Sequence, residues 1–285
     1  MTRQTEGKQP VAFAAMKQYT GKRNRSMKNF YIATMGTDFC RYAKAHDTGI
    51  ELDQFCMAEN LEGVKYENVK QEIMQIMEDS GIGGSDMVLH APFSELHPAA
   101  IDPEALKLAR RRMDQAYRAC EDLGIKKMVV HSGYLPHVYF KSWHTERSVE
   151  FWTDFMADKP EDFVICIENV LDDEPYMMRD MIEKIREKGG HSNIGICLDT
   201  GHANCISDTD VHEWIRTLCP YINHFHIHNN DGEHDLHSTF AEGVLDMQSL
   251  LDLAGELCDP GTTYTIEVME CGSAVEWLAS QGWLR

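Results

Sequence analysis
The feature that most constrains this 285-residue chain is an alternation that starts near Asn29 and continues to the C-terminus. Short apolar runs of strand character, at 30–35, 50–55, 87–90, 127–131, 163–168, 194–199, 222–228 and 264–268, take turns with stretches of helical periodicity. The helical stretches fall at 38–46, 69–79, 102–123, 145–156, 175–188, 209–218, 247–257 and 273–279. Asp102-Pro103-Glu104 opens the longest helix with an N-cap and a first-turn proline, and Gly124 closes it. Eight strand–helix pairs in about 255 residues is the count and size of a (β/α)8 TIM barrel. A doubly wound sheet usually has fewer strands and a Gly-rich first turn, which this chain lacks.

The ends of those strands carry the chemistry. Strand three ends at His90, four at His131, five at Glu168, six at Asp199 with His202 one turn later, seven at His228 and eight at Glu267. Strands of such a barrel are parallel, so all these ends meet at one mouth, the face that bears chemistry in barrel enzymes. Any one of them alone reads as a solvated strand end or a hydrogen-bonded core histidine; six coincident ends are hard to explain that way. The stretch HFHIHNNDGEHDLHSTFAE, residues 224–242, adds Asp235 and His237 over the same mouth. Its alternation sets Phe225 and Ile227 on one face and His224, His226 and His228 on the other. Imidazole and carboxylate together suit divalent metals. Glu168, Asp199, His228 and Glu267 make an oxygen-rich set for manganese, magnesium, cobalt or zinc. Adding His90, His131, His202, Asp235 and His237 gives more donors than one ion holds, which implies one to three ions, or one ion ringed by substrate-binding histidines.

Charge narrows the partners. The net charge is −19, and seven Lys/Arg against the single Glu6 lie within residues 1–28, leaving the remainder at −25. So acidic a body repels phosphate backbones, and no nucleic-acid partner is expected. Residues 1–27 read as a basic, poorly ordered extension preceding one barrel domain at 28–285. Nine cysteines without a C-x-x-C pair read as buried free thiols of a reducing cytoplasm, and no apolar run approaches a membrane span. A homo-oligomer is compatible with all of this. Phe55, Phe93, Tyr134 and Phe240 sit where rings can stack on a sugar, although core packing explains each equally well. Asn169 stands beside Glu168 to orient it or to touch substrate. Gly272-Ser273 reads as a helix cap before a phosphate site.

The motifs VLHAPF (88–93), VVHSG (129–133), CIEN (166–169), CLDTGH (197–202), IHNND (227–231), DLH (235–237) and TIEV (265–268) resemble the xylose isomerase-like barrel superfamily. The resemblance runs from the first strand to the C-terminus. It implies, as in the ketose epimerases of that group, one metal held by Glu168, Asp199, His228 and Glu267, with the two glutamates exchanging protons and His202 touching the sugar. It equally implies, as in endonuclease IV, a three-zinc cluster completed by His90, His131, His202, Asp235 and His237. The reading that follows is a metal-dependent isomerase or epimerase of a small polyhydroxylated substrate, a sugar or sugar phosphate, working by proton transfer through a metal-stabilised enediolate. The alternatives are a zinc phosphodiesterase for abasic DNA, a related lyase such as a dehydroshikimate dehydratase, or a binding barrel without catalysis.

Overall fold
The computed structural model describes residues 29–284, and the basic extension expected at 1–27 lies outside them. Eight strands, β1 (Phe30–Ala33), β2 (Gly49–Leu52), β3 (Met87–His90), β4 (Lys127–His131), β5 (Val164–Glu168), β6 (Ile194–Asp199), β7 (Ile222–Ile227) and β8 (Thr263–Ile266), close in sequence order into a barrel, β8 pairing back onto β1. Every pairing is parallel. Around it lie the helices α1 (Phe39–His46), α2 (Gly63–Ser80), α3 (Pro103–Leu123), α4 (Lys141–Met156), α5 (Pro175–Gly189), α6 (Thr200–Ile206), α7 (Val211–Leu218), α8 (Met247–Leu257) and α9 (Cys271–Ser280).

Period two divides each strand's side chains between two environments. Ile32, Ile50, Leu89, Val130, Ile165, Ile167, Leu198, Phe225, Ile227 and Ile266 belong to the large apolar cluster that also takes in the inner faces of the helices. Tyr31, Val88, Val129, Cys166 and Cys197 form a separate small cluster. Between β2, β7 and β8 the buried side chains are polar instead: Glu51, His224, His226, Thr263 and Thr265.

Helix ends follow local chemistry. Asp102 accepts from the backbone N–H groups of Glu104 and Ala105 to start α3 behind Pro103, and Gly124 ends it in the left-handed region. Several expected limits need correction: β1 stops at Ala33 rather than 35, α4 begins at Lys141 rather than 145, and β7 and β8 end at Ile227 and Ile266, just short of His228 and Glu267. β2 stops at Leu52 rather than 55, giving way to a short 3-10 turn, Gln54–Cys56. α2 begins at Gly63 rather than 69, well before the apolar periodicity becomes legible. A ninth helix, α6, follows β6 directly because Asp199 caps it.

Candidate metal centre
β5 presents Glu168, buried, at the centre of the mouth, and side chains from three directions converge on it. His90 Nε2 from β3 lies 3.2 Å from its Oε2, and His131 Nε2 from β4 lies 3.4 Å from the same oxygen. On the other side His226 Nδ1 from β7 is 3.2 Å from Glu168 Oε1, and His202 Nδ1 is 3.3 Å from it. Glu267, just past β8, brings Oε2 to 3.2 Å from His226 Nδ1, and Asp199 Oδ2 stands 3.8 Å from that nitrogen. Higher in the mouth, Asp235 Oδ2 lies between His202 Nε2 at 3.3 Å and His237 Nε2 at 3.2 Å, with His228 Nε2 at 3.8 Å from its other oxygen.

The donors therefore fall into three adjoining groups able to hold a metal ion: His90, Glu168 and His226; Glu168, Asp199, His226 and Glu267; and His202, His228, Asp235 and His237. Their chemistry fits a borderline divalent metal such as zinc, which takes imidazole nitrogen and carboxylate oxygen together. Glu267 Oε2 is buried without a hydrogen-bond donor, as a carboxylate oxygen reserved for a cation would be.

Local structure explains the convergence. Asp199 Oδ1 caps α6 by accepting from the His202 N–H at 2.6 Å and also lies 3.1 Å from His228 Nε2. Gly201 permits this, since a Cβ there would sit 1.9 Å from the His228 ring. The loop over the mouth, residues 229–245, is stapled by Asn229. It forms an antiparallel bridge with Ser238, donates to the Phe240 and Leu245 carbonyls, and accepts from the Leu245 N–H. His237 adopts φ 47°, in the left-handed region, and its Nδ1 meets the Glu267 carbonyl oxygen at 2.9 Å. That backbone is uncommon for a residue with a side chain, and the ring contact holds it there.

Electrostatics describe a pocket that demands positive charge. Burial alone would depress His226 and His202, but neighbouring groups hold both well above the ordinary histidine value, Cys197 and three carboxylates for His226, Asp199, Asp235 and Glu168 for His202. His237, despite burial, is raised to about 9 by Asp235 and Glu267. Against the burial penalty, His226 and His131 keep Glu168 well below the carboxylate range, and His202 and His228 keep Asp199 down to about 2. With so many anions in one buried place, either protons on imidazoles or metal ions must supply the balancing charge.

The structure differs from the sequence expectation in three respects. The histidine grouped with Glu168, Asp199 and Glu267 is His226, while His228 joins His202, Asp235 and His237. Period two sets His226 and His228 on the same face, so it does not choose between them; pairing of His226 with Asp199 and Thr265 places it one pleat deeper. Asn169, expected to touch substrate, is buried and spends its amide on the Asp199 backbone, donating to its carbonyl at 3.0 Å and accepting from its N–H at 2.8 Å. Tyr134 is buried with its ring against His144, centroids 5.2 Å apart. Phe93 remains half-buried and stacks on His131, centroids 4.1 Å apart. Phe55 and Phe240 are core residues, and the Gly272 and Ser273 N–H groups are already taken by the Glu270 carboxylate.

Glu51 is not among the residues that the sequence singles out. It lies inside an apolar run, GIEL, that lacks a polar end, and only its isolation as the single charge in a buried strand signalled it.

Comparison with known proteins places this geometry. An uncharacterised protein of Methanocaldococcus jannaschii is 29% identical over 206 residues, 69% of either chain. A probable endonuclease 4 of Mycobacterium leprae is 25% identical over 171 residues, 57% of this chain and 66% of the relative. Among solved structures, a D-tagatose 3-epimerase-like protein superposes with TM-score 0.68 at 22% identity, covering 89% of this chain and 96% of the other. A Thermus thermophilus protein soaked with ZnCl2 gives the same TM-score and identity over 88% and 97%. At such identities the structures establish the barrel alone. The family described as xylose isomerase-like TIM barrel matches residues 42–285, and this chain belongs to it.

Proposed function
We propose that this protein is a divalent-metal-dependent isomerase or epimerase of a small polyhydroxylated substrate. The observation that carries the reading is the placement of Glu168 and Glu267, each with an oxygen 3.2 Å from His226 Nδ1, in one four-donor group with Asp199. A bound divalent ion would polarise a substrate carbonyl and its neighbouring hydroxyl, lowering the cost of removing the proton between them. Glu168 takes that proton and Glu267 returns it from the other side, the exchange by which such an epimerisation inverts one carbon. His202 and Phe93 border the space above, where hydroxyls and the apolar edge of a sugar find partners. The epimerase-like neighbour is consistent with this chemistry. Solvent-deuterium exchange into a panel of ketoses and aldoses, with zinc, manganese or cobalt added to chelator-treated protein, tests it. Exchange that depends on metal and vanishes in Glu168→Gln and Glu267→Gln is the expected result, and no exchange with any sugar of the panel counts against the reading.

A second reading, a zinc phosphodiesterase, is favoured by one observation: the group His202, His228, Asp235 and His237 supplies donors for a further ion beside the first. The probable endonuclease among the relatives agrees. The charge of −25 outside the N-terminal 28 residues opposes it, since duplex binding requires Lys and Arg on the phosphates. Incision of an abasic-site duplex at physiological salt is expected to be undetectable; efficient zinc-dependent nicking would make the second reading the first.

A further inference from the structure
Inside the barrel, beneath the candidate metal centre, runs a column of polar side chains that the reaction above does not use. Lys127 Nζ, at the N-terminal end of β4, donates to Thr263 Oγ1 at 2.6 Å. Thr263 Oγ1 meets His224 Nδ1 at 2.5 Å, and His224 Nε2 meets Glu51 Oε2 at 3.1 Å. The Thr265 hydroxyl donates to the same Glu51 oxygen. Glu51 Oε1 meets His226 Nε2 at 3.0 Å, and the opposite ring nitrogen of His226, Nδ1, is the one that faces Glu168, Asp199 and Glu267. Glu51, His224, His226 and Thr265 are each at most 1% exposed.

Hydrogen accounting fixes the protons that face Glu51. A carboxylate only accepts, so His226 Nε2, His224 Nε2 and the Thr265 hydroxyl must each direct a proton at Glu51. His224 Nδ1 is then an acceptor and takes the Thr263 proton, while the Thr263 oxygen takes one from Lys127. With Nε2 of His226 committed as a donor, Nδ1 of the neutral ring carries a lone pair. Nδ1 is aimed among three carboxylates, a position that needs either a second proton on the ring or a cation between them. Cys197, His224 and His226 also lie close enough to suggest a further, deeper metal group, but the His224 and His226 nitrogens that face Glu51 are already spent on it.

We propose that Glu51 is a positioning residue: it sets the tautomer and ring orientation of His226 so that Nδ1 is presented, as a ligand, to a divalent cation held with Glu168, Asp199 and Glu267. The inference rests on the metal-dependent reading above. It goes beyond it by assigning a role to a buried carboxylate on β2 that touches neither the ion nor the substrate. A carboxylate behind a ligating histidine raises ligand basicity and fixes the ring, and its loss typically costs roughly 10- to 100-fold in metal affinity.

The test uses the full chain, stripped with chelator, and Zn2+ affinity measured by competition with a chromophoric chelator. Glu51→Gln keeps the shape and removes the charge, and is expected to weaken Zn2+ binding about 10- to 100-fold. Ile165→Ala, a cavity in the apolar shell outside the barrel, serves as the control for mere loss of stability and is expected to bind within about twofold of wild type. In the Zn2+-loaded wild type, two-bond nitrogen–proton NMR correlations should show His226 with its proton on Nε2. The proposal is overturned if Glu51→Gln binds Zn2+ like wild type, if Ile165→Ala loses as much affinity as Glu51→Gln, or if His226 carries its proton on Nδ1. A wild-type protein that binds no Zn2+, Mn2+ or Co2+ at all would instead remove the metal-dependent reading itself.

Discussion

The side chains of the eight strands serve two interiors with opposite demands. Outside the strands, between sheet and helices, Ile165, Ile182, Leu198, Trp214 and Phe225 are at most 1% exposed and belong to one apolar cluster, where the requirement is volume and any hydrophobic shape that fills it suffices. Within the ring, on the side of β2, β7 and β8, Glu51, His224, His226 and Thr265 are buried as deeply, and there the requirement is that each proton have one acceptor. The apolar shell holds the barrel together, whereas the polar column costs desolvation and returns orientation. Stability and function are thus assigned to different faces of the same strands, and substitutions should separate them.

The largest effect should come from the inner face. Glu168→Gln is expected to reduce turnover by roughly 10²- to 10⁴-fold, the usual cost of a positioned general base. Metal content should fall with it, because a neutral amide is a poorer ligand than a carboxylate; near wild-type deuterium exchange in this variant would show that the inner face does not carry the chemistry. Ile165→Ala on the outer face should lower stability by about 2–5 kcal/mol in chemical denaturation. Its metal affinity should be preserved, and a large loss of affinity would show that the two faces are not separable.

Metal itself should act as a stabiliser coming from the inner face alone. Zn2+ at 100 times its dissociation constant should add about 2.7 kcal/mol to unfolding, and chelator should remove that increment. Calorimetry with and without chelator measures it; identical transitions would mean that the donor groups hold no zinc.

Acid sensitivity gives a smaller effect, from a histidine outside both interiors. His144 on α4 is fully buried between Tyr134 and Tyr139, and burial, with His97 nearby, pushes its pKa down to about 4. Its folded value lies below the unfolded one near 6.5, so the unfolded chain binds the proton first. Stability contributed by the neutral ring is therefore complete above pH 6.5 and lost as pH falls toward about 4. His144→Leu should narrow the stability difference between pH 7 and pH 5; an unchanged difference would place the acid sensitivity elsewhere. Least of all, Asp102→Ala should cost about 1 kcal/mol by uncapping α3, with no change in metal binding.

Much of this architecture is legible in the chain because its signals are local. The strand–helix alternation needs only hydrophobic period, and β3, β4 and β6 have the limits that their apolar runs suggest. The donors at strand ends are readable for the same reason, each standing where an apolar run stops. What escapes is depth along the barrel axis. His226 and His228 differ by one pleat, and only the register of β7 against β6 and β8 sets which meets Glu168. Glu51 escapes because its partners, His224, His226 and Thr265, are more than 170 residues away in the chain. Asn169 was legible as a neighbour of Glu168, but its service to the Asp199 backbone on the next strand was not.

Asp199 has one further consequence. One oxygen of this residue begins α6 by accepting from the His202 N–H, and the other looks into the group formed with Glu168, His226 and Glu267. The same short helix carries His202 on its first turn toward Asp235. An ion that draws on Asp199 therefore pulls on the start of a helix, and that helix in turn aims a donor at the neighbouring group. Filling one group should alter the affinity of the next through the bending of a single helical turn, so that successive ions load cooperatively or antagonistically rather than as strangers.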